Sequence, residues 1–557
     1  MDFKLKDNHY IYVICIVTII IYCRVMFYPF LPLDDLQLIK DRMILLMNPG
    51  NIINILFSPL YDQQALILFR PILNLSFMLD AIVGGGSEFI FHFSNLIYHL
   101  LSIILINILL TTFCNSKKFA GILTFIFAVH PINIHAVAWI SGRNDILLAI
   151  IVFTSLITFH KFIVSTKNYW FFIHIILVFL SIYIKENAIV LTPLLILLLY
   201  QYRLDIFRKI IIVLSLTATC CLSLILRLNI VNFDVSFTDF TVLQFVSNTV
   251  FIIINYIGKF FIPVSYSVLP HLPDMSIYLG LISIVVILFC VFFTNRDNDK
   301  LFYIGILWFL LFLILPVIWS LSTGIGEFYE HRMYVPSFGI LLSISQLRLK
   351  SSNQMVYKIG RSILISIISF LLVISSYRLK YYSDFNYFSK AAINESPSLA
   401  RSYSLRGQYF HESGNQELAM EYYNQAINIR PNLYQILNSR GMIKLNTGNT
   451  KEAIEDFSRS IDLNHNYSVA HYNRGIAYFN SGLYFKSLSD YTTAISISPT
   501  NANYYNNRGF VFEYLEDYSS ALQDYQKANL LLPGNQVIID NINIVSIKLK
   551  NKLKTKQ

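Results

Sequence analysis

Residues 434–467 read YQILNSRGMIKLNTGNTKEAIEDFSRSIDLNHNY, and the stretches on either side repeat the same pattern. Arg406-Gly407, Arg440-Gly441, Arg474-Gly475 and Arg508-Gly509 recur 34 residues apart. Tyr423, Phe457, Tyr491 and Tyr525 hold the same phase, as do Ala426, Ser460, Ala494 and Ala528. Pro431, His465, Pro499 and Pro533 close the units. A period of 34, with an early Gly, small residues in the second half and Pro at the end, is the tetratricopeptide pattern of paired helices. Small residues let the two helices approach, and Pro stops the second one. Four full repeats are expected at 400–433, 434–467, 468–501 and 502–535, with a capping helix and basic tail over 536–557. Ala392 and Pro397 match the offsets of Ala426 and Pro431, so half a repeat precedes them in a linker over 381–399.

Everything before residue 381 has a different composition. The whole chain of 557 residues is 55% apolar and only 14% charged, against roughly 25% charged for an average soluble chain. With a mean hydropathy of +0.54, this is the composition of a polytopic membrane protein. Apolar runs of spanning length lie near 10–30, 91–112, 118–138, 143–163, 276–294, 301–320 and 362–380. Shorter ones lie near 169–184, 187–201, 207–228 and 335–347. The first run lacks a small-residue cleavage site and reads as an uncleaved span. The fold expected is all-α: a transmembrane helical bundle over 1–380, followed by an α-solenoid.

Basic residues order the spans. With a cytoplasmic N-terminus, inside turns hold Lys117 and Lys118, then Lys161 and Lys167, then Arg203, Arg208 and Lys209. Treating 246–263 as re-entrant or interfacial also places Arg296–Lys300 and Arg348–Arg361 inside. That gives eleven spans, an external first loop over 31–90 and external repeats. The net charge of +10 is thus a topological signal and does not point to nucleic acid. The six cysteines sit in or beside apolar runs with no metal-like spacing, so they read as small buried hydrophobes rather than a disulfide framework.

The external loops collect the polar chemistry. Asp34-Asp35 follows the first span directly, and paired carboxylates beside lipid are costly unless they serve a function. One could act as a general base on a hydroxyl, or the pair could hold a metal. A solvated loop start is the alternative. Arg70, Arg143, Lys185 and Arg332 are candidates for phosphate binding, arginine through its bidentate fork; each could instead pair with a nearby acid. His130, His135, Asp145, Glu186, Glu330, His331 and Tyr334 lie in the same loops or at span ends and are possible supporting groups. In the repeats, Asn438, Tyr472, Asn473, Asn506 and Asn507 fall on first helices, which line the concave face, and could form a peptide groove.

Taken in order, these residues resemble the TMTC-like family of GT-C-fold glycosyltransferases with tetratricopeptide repeats. The resemblance is carried by Leu33-Asp34-Asp35, Phe69-Arg70-Pro71, His92…Asn95…His99, Phe127…His130-Pro131, Gly142-Arg143…Asp145, Lys185-Glu186 and Glu330-His331-Arg332…Tyr334. It implies a polyprenyl-phosphate sugar donor, first-loop acids that activate the acceptor or bind a divalent metal, and transfer to a hydroxyl, often Ser or Thr of a protein. His135 stands where the family commonly has an acid. The alternative is a non-enzymatic, membrane-anchored tetratricopeptide scaffold for an envelope complex.

Overall fold

The computed structural model describes residues 9–57, 69–165, 167–228, 241–322, 328–350 and 354–554. Asp62 and Glu327, both in external loops by the sequence reading, fall outside them. The chain divides into two compact units, Met1–Pro397 and Ser398–Gln557.

The first unit is a bundle of apolar helices. Among the described residues, seven are long and apolar enough to cross a membrane: His9–Phe27, Glu88–Phe113, Ile140–Ser165, Ile206–Arg227, Val242–Phe261, Asp299–Ser322 and Gln354–Tyr382. An eighth candidate, Lys117–Val129 with Pro131–Ala138, is bent by 47° where Pro131 interrupts the ladder. Pro71–Gly84, Asn168–Ile182, Glu186–Gln201 and Tyr278–Phe292 are apolar but shorter.

Two expected segments differ. Residues 246–261 of the stretch expected to be re-entrant or interfacial lie in a continuous 20-residue helix, Val242–Phe261, which has the length of a span. The run 335–347 forms Tyr334–Ser345, only 12 residues and largely buried. Among the described residues, seven helices, or eight with the bent pair, thus have spanning length, and the expected count of eleven also includes shorter apolar runs.

The charge grouping has a direct counterpart in the packing. Thr294–Arg296 pairs antiparallel with Leu347–Leu349, joining the Arg296 and Arg348 loops. Asn115 donates to Asp297 at 2.9 Å, and Asn298 donates to Gln201 at 3.2 Å. His160 meets the Tyr202 hydroxyl at 2.8 Å. The basic turns thus gather at one end of the bundle. The acid-bearing loops gather at the other, because Asp145 and Ser165 lie at opposite ends of one helix, as do Ser320 and Asp299.

The second unit is four helix pairs: Ala400–Glu412 with Gln416–Ile429, Tyr434–Asn446 with Thr450–Leu463, Ser468–Asn480 with Tyr484–Ile497, and Ala502–Tyr514 with Tyr518–Leu531. Gln536–Lys554 caps them. A bidentate pair recurs inside three repeats. Arg440, Arg474 and Arg508 each bond the aspartate 16 residues on, Asp456, Asp490 and Asp524.

Candidate active site

The first loop is fixed by Asp35. Its carboxylate is 1% exposed and reaches 106 residues along the chain to Ser141. Oδ1 accepts from the Ser141 N–H at 3.1 Å and from its hydroxyl at 2.7 Å, and Oδ2 accepts from the Leu31 N–H at 3.3 Å. Burial pushes this carboxyl up to about 7, against the opposing pull of the Ser141 bonds. Asp34 is only half-buried, so it is the more accessible member of the pair. Protein donors thus make three hydrogen bonds to the Asp35 carboxylate. Among the described residues no group of three His, Cys, Asp or Glu side chains is placed to hold a metal ion.

Arg143, one turn of chain from Ser141, is fully buried. It pairs with Asp80 at 2.6 Å and donates to the Phe91 carbonyl and the Ser94 hydroxyl at 2.8 and 2.7 Å. It also bonds Asn95 and Ser76. A guanidinium enclosed by this many acceptors has no face left for a ligand, so the expectation of phosphate binding at Arg143 is corrected to a structural knot.

The other three expected phosphate ligands come together. Lys185 donates to both oxygens of Asp145, at 2.8 and 2.6 Å. Arg70 pairs with Glu186 at 3.0 Å, and Arg227 bonds the same carboxylate. Arg332 donates to the Pro316 carbonyl and the Ser320 hydroxyl and pairs with no carboxylate among the described residues. Burial pushes the Lys185 ammonium down; Arg70 and Arg332 add to this and Asp145 opposes it, so all four charges act on one place. Four cations, Arg70, Lys185, Arg227 and Arg332, thus face two carboxylates, Glu186 and Asp145. Arg227 reaches this cluster from the last turn of the helix Ile206–Leu228.

A further buried carboxylate lies beside this cluster. Glu330 pairs with Lys259 at 2.6 Å and accepts from the Ser267 N–H at 3.1 Å. Burial alone would raise it; Lys259 and His135 overturn that and hold it at about 2. His135 Nδ1 lies 3.7 Å from Glu330, and its ring meets His331, Trp139 and Tyr329. His331 Nε2 in turn lies 3.7 Å from Asp145. Sequence reasoning missed Lys259, which was absorbed into the apolar run 246–263. A lone lysine inside an apolar helix is itself the signal that should have marked it.

Two supporting candidates belong to the packing instead. His130 bonds the Phe260 carbonyl at 2.9 Å and stacks on the Phe260 ring. The Tyr334 hydroxyl lies 2.6 Å from His99 Nδ1, and its ring is fully buried against Phe127. Both are explained by helix contacts.

In the repeats, the expected groove residues bond one another between successive first helices. Asn473 donates to Asn438 at 2.9 Å, Asn507 to the Tyr472 hydroxyl at 2.8 Å, and Asn541 to Asn506 at 3.0 Å. Asn438 and Asn473 are each only 6% exposed, so they serve the stacking and not a ligand. Tyr472, Asn506 and Asn507 stay half-buried on the surface.

A tetratricopeptide-repeat family model matches residues 400–433 and 434–467. The chain is 31% identical over 103 residues to the protein O-mannosyl-transferase TMTC1 of Mus musculus, a match covering 18% of this chain and 11% of that relative. It is 32% identical over 94 residues to the human TMTC1, covering 17% and 11%. With the human protein O-mannosyl-transferase TMTC3 it shares 25% over 134 residues, covering 23% and 14%. The matches therefore span little more than a tenth of these relatives' own length. Among solved structures, a crystal structure of MamA has 22% identity and a TM-score of 0.26, covering 28% of this chain and 92% of that one. The chain is an all-α protein with several apolar helices of membrane-spanning length and tetratricopeptide repeats, and it is weakly but consistently similar to the TMTC protein O-mannosyl-transferases.

Proposed function

We propose that the chain is a multi-pass membrane glycosyltransferase. It moves mannose or another hexose from a polyprenyl-phosphate donor to a hydroxyl, Ser or Thr of a polypeptide, on the external face. The observation that carries this reading is the excess of cations in one loop cluster. Arg70, Lys185, Arg227 and Arg332 outnumber Glu186 and Asp145 by two charges. Such a site suits a phosphate at the head of a lipid, because charge-assisted bonds from arginine are strong and directional. The name shared by the relatives, protein O-mannosyl-transferase, points to the same chemistry.

In this reading Arg332, Arg70 and Lys185 hold the donor phosphate and neutralise it as it leaves. Asp34 takes the proton of the acceptor hydroxyl as its oxygen bonds the anomeric carbon. Asp35 positions Asp34 by anchoring the loop to Ser141. The cluster end of the bundle is external, with the N-terminus cytoplasmic. The first unit also ends there, where Glu395 bonds Arg378 and Ser396 bonds Ser267. The repeats, through Tyr472, Asn506 and Asn507, present the polypeptide.

The test is transfer by the purified full chain in lipid nanodiscs, using radiolabelled polyprenyl-phosphate mannose and Ser/Thr peptides. Transfer by the wild type and its loss in Asp34→Asn are expected. Absence of transfer from every polyprenyl-phosphate hexose supplied overturns the reading and leaves the non-enzymatic scaffold, whereas undiminished transfer by Asp34→Asn overturns the role given to Asp34.

A further inference from the structure

Two lysine-bound carboxylates flank a pair of histidines. Lys185 holds Asp145 at 2.6 Å, and Asp145 lies 3.7 Å from His331 Nε2. The rings of His331 and His135 meet nearly edge-on, with centroids 4.8 Å apart at 83°. His135 Nδ1 lies 3.7 Å from Glu330, which Lys259 holds at 2.6 Å. With both histidines neutral, the row Lys185, Asp145, His331, His135, Glu330, Lys259 carries no net charge.

Both imidazoles are more than nine-tenths buried, at 2% exposure for His135 and 7% for His331. Neither ring nitrogen of His135, nor His331 Nδ1, has a hydrogen-bond partner among the described residues. Buried polar atoms are normally bonded, and the exceptions call for an explanation. A small cavity, sized for about one water molecule, opens between His135, Glu330, Arg378, Tyr266 and Tyr382. A proton added to either ring would make it a double donor. The two carboxylates stand ready to receive it, Asp145 on one side and Glu330 on the other, directly after a small ring shift or through a bridging water.

Positive surroundings oppose that proton. Burial holds the His331 imidazole well below its usual range, and His135, Lys185, Arg332 and Arg70 push in the same direction. On the His135 side the facing charges are Glu330, Arg378 and Arg332, and Arg378 is itself tied to Glu395. Tyr329, Trp139 and Tyr382 fill the remaining faces of the ring. The opposing cations include those assigned above to the donor phosphate, so an anion bound to them removes part of the opposition. We infer that the His135–His331 pair binds a proton cooperatively with an anionic phosphodiester held by Arg70, Lys185 and Arg332. The inference rests on the donor-phosphate reading of that cluster. It makes donor binding and proton uptake one coupled event, as linkage requires.

The test is calorimetric binding of polyprenyl-phosphomannose to the full chain in nanodiscs between pH 5 and 8, in two buffers of different ionisation enthalpy. This diester does not titrate in that range, so proton uptake belongs to the protein. The wild type is expected to bind more tightly as pH falls, with Kd rising by up to about tenfold per pH unit. It should take up close to one proton more than a His135→Gln/His331→Gln variant, whose fold is checked by its unfolding midpoint. If the double variant does not fold, His331→Gln alone carries the comparison. Equal proton uptake by the wild type and a folded variant overturns the inference and leaves the donor site intact. Absence of binding at every pH overturns both.

Discussion

Lys185 grips both oxygens of Asp145 across 40 residues of sequence, at 2.8 and 2.6 Å. Asp145 sits in the first turn of the helix Arg143–Ser165, where a negative charge also complements the helix dipole. Ser141, the anchor of Asp35, lies one turn earlier. One helix N-terminus therefore fixes both the first-loop acids and the cation cluster.

Removing Lys185 takes away the bonded cationic partner of the buried Asp145 carboxylate. Lys185→Ala is expected to destabilise the first unit by about 3–5 kcal/mol. A Lys185→Met/Asp145→Leu variant should recover most of that stability while losing donor binding. Thermal unfolding in detergent, read beside a donor-binding assay, separates the two effects.

Asp35 gives stability a pH dependence with a definite sign. Burial lifts its carboxyl to about 7, so the folded chain keeps a proton there that the unfolded chain has lost. The stability contributed by this group is full below about pH 4, the unfolded value, and is lost as pH rises through 7. The span of the effect is at most about 4 kcal/mol, from a shift of about three units. Asp35→Asn should flatten the stability curve between pH 4 and 7. Asp34→Asn should change that curve much less, removing only the weaker push of its charge on Asp35, and lower the transfer rate by about 10²–10⁴-fold. A curve flattened as fully by Asp34→Asn as by Asp35→Asn would reverse the two assignments.

Arg332 and Arg143 should separate cleanly. Arg332 is half-buried and bonds only a carbonyl and a hydroxyl among the described residues, so Arg332→Ala is expected to cost at most about 1 kcal/mol of stability. The same change should weaken donor binding by about 10–100-fold, the value of one charge-assisted contact. Arg143→Ala uncovers buried Asp80 and should cost about 3–5 kcal/mol. Unfolding midpoints and donor Kd for the two variants check both statements.

The repeats were legible because their determinants are local. Each Gly, aromatic and small residue contacts a helix within the same 34 residues, so the period appears in the sequence itself. The site was legible only in its residue types. Asp35, Arg70, Lys185, Glu330 and His331 could be picked out as polar groups in apolar surroundings. Which group pairs with which could not be read, because the pairings with Ser141, Glu186, Asp145 and Lys259 are set by how distant helices cross. Arg143 and Arg332 look alike in sequence, and only the enclosure by Asp80, Asn95 and Ser94 distinguishes a strut from a ligand-binding arginine. Tyr334–Ser345, short and largely buried, shows a related ambiguity. Burial inside protein and burial in lipid leave the same apolar composition.

The last prediction uses the four repeat glycines, which face the four repeat aromatics at graded distances. A Cβ built on Gly407 would lie 2.6 Å from the Tyr423 ring, on Gly441 2.7 Å from Phe457, on Gly475 2.8 Å from Tyr491, and on Gly509 3.1 Å from Tyr525. All four glycines sit mid-helix, where alanine is otherwise favoured by about 1 kcal/mol. Alanine therefore gains helix propensity and loses through overpacking, which costs about 1–3 kcal/mol in a tight core. The balance should be clearly destabilising at Gly407 and Gly441 and close to neutral at Gly509, where the ring needs to give by only a few tenths of an ångström. Because repeat arrays distribute stability between neighbours, the effect is best read by hydrogen exchange in the altered repeat and its neighbour. Equal losses at all four positions would show that propensity and ring contact do not set the cost.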